Sequence, residues 1–215
     1  EKDFVAVLAE HEWDAVRASR MLKIDWNHTK QNPFPPMAEL HEHIRKAPVQ
    51  KREEQVKRGD VNAAFKTAAR TIEAEYEWPF QSHASMGPAC AVADVRADGV
   101  VVWTGSQKPH FVQLGVAKLL GVAPDKVRAI WVPGPGSYGR NDAGDAALDA
   151  AMLSKLTGKP VRVQGMRQDG IAWDPKGPAC VHRARAALDS TGRVIAYEFI
   201  SKGFSRINIQ TNESD

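Results

Sequence analysis

Gly134-Pro135-Gly136-Ser137-Tyr138-Gly139-Arg140 stands between an apolar run, Val127 to Val132, and an alanine-rich helical pattern, Ala143 to Leu156. A strand that feeds a helix through a glycine-rich connection is the natural reading, and it commits the chain to mixed α and β structure. Glycines let the backbone turn sharply and approach a ligand without side-chain obstruction. The next helix presents unpaired N–H groups at the positive end of its dipole. The connection therefore has the chemistry of an anion site, and a phosphate-bearing cofactor suits it. The same residues satisfy G-x-G-x-x-G, but the dinucleotide fingerprint also needs an acidic residue roughly 20 positions further on. Gly165, Met166 and Arg167 stand there instead, Pro135 intrudes between the first two glycines, and the helical pattern starts only after the third. A nucleotide-binding (NADP) oxidoreductase domain is thus an alternative, as is a non-catalytic interaction domain with a merely structural loop.

Working outward, Pro109 suits a first helical position, and Val112, Leu114, Val116, Leu119 and Leu120 form a buried stripe that Gly121 ends. Upstream, Cys90–Val95 and Val100–Thr104 pair as a hairpin across Ala97-Asp98-Gly99. Asp60 caps a helix predicted over Val61–Ile72, with Ala64, Phe65, Ala68 and Ala69 on its apolar face, and Ile72, Ala74 and Tyr76 then alternate as a strand. Downstream, Gly158-Lys159-Pro160 stops the alanine-rich helix and Val161–Val163 is a strand; Val181–Leu188 and Val194–Ser201 form a second hairpin. At the N-terminus, Phe4–Ala9, Glu12–Leu22 and Leu22–Trp26 have the pattern of a β-α-β fragment. Asn27–Asp60 carries Pro33, Pro35, Pro36 and Pro48 and is predicted to be a linker, with one short helix around Ala38–Ile44. Hairpins together with crossovers favour an α+β layered sheet over a doubly wound one.

Composition narrows the function. The 215 residues are 43% hydrophobic, enough for a proper core. A net charge of +3, from 29 basic and 26 acidic residues, argues against nucleic acid as a partner. In the run Arg45–Arg58, lysines and arginines alternate with Glu53 and Glu54, as on a solvated surface. No apolar stretch reaches the roughly 18 residues of a membrane span. Cys90 and Cys180 lie far apart in apolar company, as small buried hydrophobes do. Glu39, His41 and His43 make a poor metal site, because helical alternation sends the two histidines to different faces. No serine-histidine-acid or cysteine-histidine arrangement emerges from order or spacing. The chain opens at Glu1 and ends on a polar tail, Arg206–Asp215, as expected of a piece of a longer polypeptide.

Three segments carry a resemblance: Gln81-Ser82-His83-Ala84-Ser85-Met86-Gly87-Pro88, Trp103-Thr104-Gly105-Ser106-Gln107-Lys108-Pro109-His110, and Gly136-Ser137-Tyr138-Gly139-Arg140. Together they resemble the molybdopterin-binding large subunit of the xanthine oxidase and aldehyde oxidoreductase family. Within it they look most like the isoquinoline 1-oxidoreductase and nicotinate dehydrogenase type, where serine and tyrosine replace a glycine and a phenylalanine of the loop. The resemblance implies a fold of the molybdenum cofactor-binding domain type. Residues 1–26 would be the tail of a small α/β hammerhead domain, 27–60 a linker, and 61–215 the first part of the molybdopterin-binding domain. It implies a molybdenum hydroxylase that oxidises an N-heteroaromatic or aldehyde substrate with oxygen from water. Electrons would leave through an iron–sulfur subunit or domain, and the rest of the large subunit would be a further partner.

Residue by residue, the resemblance places Gln107 beside a molybdenum oxo ligand, and Gly136, Ser137, Tyr138 and Gly139 against the pterin and the metal ligands. A neutral amide at a strand-to-helix turn fits that use, since it donates a hydrogen bond without adding charge. Asp142 matches a position where some members carry a substrate-contacting glutamate, though an acid there also satisfies a helix dipole. His83 and Met86 match a histidine-x-x-methionine segment, but the glutamate often found next is Gly87 here. His83 and His110 are therefore expected to be structural hydrogen-bonding groups. No protein ligand binds the metal directly, and the catalytic glutamate is expected outside these residues. The fragment alone is expected neither to retain the cofactor nor to turn over.

Overall fold

The computed structural model describes residues 4–27, 35–134, 136–141 and 143–204. The chain divides into two compact units, residues 1–36 and 37–215. In the first, α1 (Glu12–Met21) carries Trp13 with the Arg20 guanidinium 5.6 Å from its ring centroid. The strands predicted at Phe4–Ala9 and Leu22–Trp26 do not form, since neither segment enters a ladder among the described residues. A short apolar run has the composition of a strand, but a strand exists only where a partner satisfies its N–H and C=O groups.

The second unit holds two sheets. β2 (Cys90–Val95), β3 (Val100–Thr104), β4 (Val127–Trp131) and β5 (Val161–Gln164) form a four-stranded sheet in the order β4-β3-β2-β5. The tight Asp98-Gly99 turn makes β2 and β3 antiparallel, whereas α4 (Pro109–Leu120) carries the chain over the sheet so that β4 lies parallel to β3. α5 (Ala143–Thr157) makes the next crossing and returns β5 antiparallel to β2. Alternation decides which face is covered. Ala91 and Ala93 of β2, Val100 and Val102 of β3, Val127 and Val161 point under the helices and are buried. They meet Val112, Val116 and Leu120 of α4 and Ala146, Ala147, Ala150 and Ala151 of α5, most of them fully buried. Alanine favours the helix and leaves no side-chain bulk, so α5 sits close on the strands. Ser154, also fully buried, accepts from the Val95 amide at 2.9 Å and donates to the Lys159 carbonyl at 2.8 Å, which satisfies its hydroxyl.

β1 (Arg70–Trp78), β6 (Cys180–Leu188) and β7 (Val194–Gly203) form a separate antiparallel sheet, order β1-β6-β7. α3 (Val61–Thr67) starts as expected, with the Asp60 carboxylate accepting from the Ala63 amide at 2.9 Å. It is shorter than the predicted Val61–Ile72, because Ile72 is taken into β1 opposite Ala186. Tertiary pairing here overrides a helical pattern. α2 (Leu40–Lys46) lies within the stretch predicted as a linker, and its buried Leu40 and Ile44 pack on Ala179 and Val181. α6 (Arg167–Trp173) was not legible in the sequence. No helix among the described residues is long and apolar enough to cross a membrane.

Candidate functional site

The parallel pair β3–β4 ends in two connections that run side by side. The Val132 amide still bonds the Thr104 carbonyl at 3.0 Å, and then the chains touch at Gly105 and Gly134. A Cβ on Gly105 would lie 3.2 Å from Gly134 Cα, so a side chain there would press the two connections apart by a few tenths of an ångström. The crevice outside the carboxyl ends of parallel strands is the usual ligand position in sheets of this kind. Beside it lies a cavity of about 200 Å³, lined among others by Pro88, Cys90, Trp103, Gly105, Gly134 and Asn141.

Beyond Gly105, a relay of side chains sets the turn. The buried Thr104 hydroxyl accepts from the Ser106 amide at 3.1 Å, and the Ser106 hydroxyl accepts from the Lys108 amide at 3.1 Å. These bonds aim Gln107 at the glycine-rich connection. Its amide nitrogen donates to Ser137 Oγ and to the Gly139 carbonyl, both at 3.1 Å, and its Oε1 accepts from the Asn141 amide at 3.1 Å. Asn141, buried, donates in turn to the Gly105 carbonyl at 3.2 Å. Residues 30 positions apart in the chain thus form one closed network.

The connection itself is strained. Tyr138 has φ +48°, an unfavourable region for a bulky side chain, and its ring stands two-thirds exposed. Gly139 has φ +134°, and a Cβ there would come within 2.4 Å of the His83 ring, so no larger residue fits without displacing that histidine. His83 Nδ1 lies 3.2 Å from the Tyr138 carbonyl. Because a carbonyl only accepts, the nitrogen must carry the proton. Ser85 Oγ donates to the Arg140 carbonyl at 3.3 Å, and the Arg167 guanidinium donates to the carbonyls of Ser85 and Met86. Segment 82–86 is therefore the second side of a clamp whose first side is Gln107.

The structure brings together Gln107, Ser137, Tyr138 and Gly139, with Gly136 next to them at φ +84°. Asp142 lies outside the described residues. Sequence reasoning missed Asn141, Arg167 and Asp174, which complete the network. An asparagine at a helix start and an aspartate before a proline both have the pattern of ordinary turn residues, and nothing in their spacing names a partner. His41, by contrast, is held by the neighbouring sheet, 3.4 Å from the Glu77 carboxylate and 3.2 Å from the Trp78 carbonyl. Among the described residues no group of three histidine, cysteine, aspartate or glutamate side chains is arranged to hold a metal.

A glycine-lined crevice at the end of a parallel strand pair, faced by a neutral amide, has the form of a cofactor-cradling domain. Similarity to known proteins agrees in kind. Residues 41–201 match the model of the molybdopterin cofactor-binding domain, and the chain belongs to that family, in the xanthine oxidase and aldehyde oxidoreductase group. A nicotinate dehydrogenase subunit of Pseudomonas putida is 38% identical over 202 residues, 92% of this chain and 16% of that protein. The β subunit of isoquinoline 1-oxidoreductase from Brevundimonas diminuta is 33% identical over 139 residues, 63% of this chain and 18% of that protein. The chain therefore spans less than a fifth of the length of these two relatives. Quinoline 2-oxidoreductase from Pseudomonas putida superposes with a TM-score of 0.59 at 23% identity, covering 67% of this chain and 19% of that one. A copper- and molybdenum-containing CO dehydrogenase superposes at 0.65 and 16% identity, covering 88% and 26%. At these identities the two structures speak to the fold alone.

The donor set fits a pterin carrying phosphate. The glycines at 105 and 134 let the two connections close on each other, Gly139 makes room for the His83 ring, and no acidic side chain among the described members of the crevice opposes an anion. The dinucleotide alternative fits less well, because α5 begins at Ala143, beyond the last glycine of the motif instead of within it.

Proposed function

We propose that the chain is part of a molybdenum hydroxylase that oxidises an N-heteroaromatic or aldehyde substrate, with water supplying the oxygen and iron–sulfur centres on a partner or further domain receiving the electrons. The observation that carries this reading is the convergence of Gln107 with the 137–139 turn at the crevice, in a chain of the molybdopterin-binding family. When bound, molybdopterin supplies the metal centre at which the substrate carbon is oxidised and two electrons are taken up. The chain supplies the cradle. Gln107 holds the turn open and offers a neutral donor at its edge; with both amide hydrogens engaged by Ser137 and Gly139, an acceptor on the cofactor would have to share one of them. The positive-φ turn at Tyr138 holds its ring out from the backbone, where it can cover the cofactor. Gly136 and Gly139 are read from the resemblance as lying against the pterin, and Asp142 is assigned a weak substrate contact on the same ground alone. The base that takes the proton is a glutamate beyond these residues. Residues 1–26 are read as the tail of a hammerhead domain, 27–60 as a linker, and the stretch from 61 as the first part of the cofactor-binding region.

The test is molybdenum analysis and pterin fluorescence on the complete subunit purified from its own host. Molybdenum close to one per chain is expected, and Gln107→Ala and Gly139→Ala should each lower it several-fold while the protein stays folded. A complete large chain free of molybdenum whose melting temperature rises with nucleotide would overturn the proposal.

A further inference from the structure

Asp174 ends α6 and is almost fully buried, with its side chain 4% exposed. A buried carboxylate is costly unless donors surround it. Three groups do so here. Lys176, two residues on, pairs with Oδ1, while Ser82 Oγ and the His83 amide donate to Oδ2 at 2.9 and 3.1 Å. Lys176 alone would not require burial, since it is partly exposed and also bonds the Ile171 carbonyl at 2.7 Å. The other two donors come from 92 and 91 positions away, and they belong to the one histidine that touches the glycine-rich turn among the described residues and to the serine before it.

The backbone just beyond Ser82 is also unusual. Ala84 has φ +47°, and with Tyr138 it is one of two non-glycine residues at positive φ among the described residues. Such backbone persists only where its surroundings over-determine it. Ser82 Oγ does this locally: it donates to Asp174 and accepts from the Ala84 amide at 3.3 Å. Between the two strained residues sits the His83 ring, bonded to the Tyr138 carbonyl and filling the space a Cβ on Gly139 would need. A continuous path leads from Asp174 through Ser82 and His83 to Tyr138 and Gly139, and from there to Gln107.

We propose that Asp174 is the positioning residue of the 137–141 turn, acting through Ser82 and the His83 amide to hold the His83 ring against the Tyr138 carbonyl. What the turn cradles rests on the function proposed above; the positioning does not. The second oxygen of the carboxylate is the working group, because it accepts from both Ser82 and His83.

Three variants of the 215-residue chain test this, with amide exchange and His83 ring NMR as readouts. Asp174→Ala removes the acceptor, and exchange of the Asn141 amide should rise at least tenfold while that of Val102 in β3 is unchanged. His83 should lose the signature of a tautomer protonated at Nδ1. Asp174→Asn keeps an oxygen for Ser82 and His83 and gives up the charge and the acceptor facing Lys176, so it should keep Asn141 within threefold of the parent and leave the ring signature in place. Ser82→Ala, a milder change that covers the case of an unfolded Asp174→Ala, should raise Asn141 exchange more than threefold. The proposal is overturned if Ser82→Ala leaves Asn141 and His83 as in the parent. It is equally overturned if Asp174→Asn loses protection as fully as Asp174→Ala, which would make Lys176 the working partner. None of these readouts involves molybdenum, so metal analysis of the complete subunit succeeds or fails separately.

Discussion

The two sheets of residues 37–215 obey the same alternation and are finished differently. In the four-stranded sheet the face formed by Ala91, Ala93, Val100, Val102 and Val127 is closed by α4 and α5, and the strands carry small aliphatic side chains to match. In the three-stranded sheet one face is a charge ladder, with Glu73 against Arg183, Arg185 against Glu198, and Arg45 of α2 reaching Glu75 and Glu77. Its other face is aromatic and open: Tyr76, Trp78, Tyr197 and Phe199 are each about half exposed, and the buried Nδ1 of His182 has no hydrogen-bond partner among the described residues. The lesson is that cohesion is concentrated in the sheet that bears the candidate site. The crevice at Gly105 and Gly134 leaves directly from its parallel pair, β3 and β4.

Matched substitutions break or sharpen that contrast. Val102→Asp places a carboxylate in a fully buried position and should cost at least about 4 kcal/mol, enough to unfold the unit, whereas Tyr197→Asp on the open face should change stability by less than about 1 kcal/mol. Denaturant titration of the two variants decides this, and equal losses would dissolve the distinction. Ala150→Leu overpacks the contact of α5 with the sheet and should cost about 1–3 kcal/mol by the same measurement, while Ala184→Leu, among the open-face aromatics, should be near neutral.

Within the charge ladder, Arg185 sits 4.5 Å from the Phe65 ring centroid and 2.8 Å from the Glu198 carboxylate. Arg185→Ala should lower stability by about 1 kcal/mol, with a part that shrinks in high salt; the sheet under the helices should show no such salt dependence. A further effect is one of slope. Burial, followed by repulsion from Asp145, pushes the Asp149 carboxyl from its ordinary 3.8 up to about 6. The folded state therefore binds the proton more tightly than the unfolded state, and this contribution to stability is full below about pH 4 and lost as pH rises through about 6. Asp149→Asn should flatten that segment of a melting-temperature profile and raise the melting temperature above about pH 6.

How far the sequence revealed this depends on where each partner lies. β2, β3, α4, β4 and α5 were legible because periodicity, Pro109 and the Asp98-Gly99 turn all act within a few residues. The β6–β7 hairpin was legible for the same reason. The end of α3 was not, because the fate of Ile72 depends on Ala186, far along the chain. The N-terminal strands failed in the opposite sense: Phe4–Ala9 has the right composition and no ladder. At the site, Gln107 and the Ser137-Tyr138-Gly139 turn came from the family resemblance. Asp174 did not, since a buried acceptor is identified by its donors, and Ser82 and His83 give no sign in sequence of which acid they will meet.

The register that pairs β1 with β6 also has a consequence for assembly. Glu73 and Arg183 are 110 residues apart, whereas β2 finds β3 across a tight turn. A chain emerging from the ribosome can zip the β2–β3 hairpin and lay α4 over it long before Cys180–Leu188 has been made. β1 must wait for that late hairpin, its glutamates keeping it in water meanwhile, so the cradle's strands acquire order before the strand that precedes them in the chain finds its sheet.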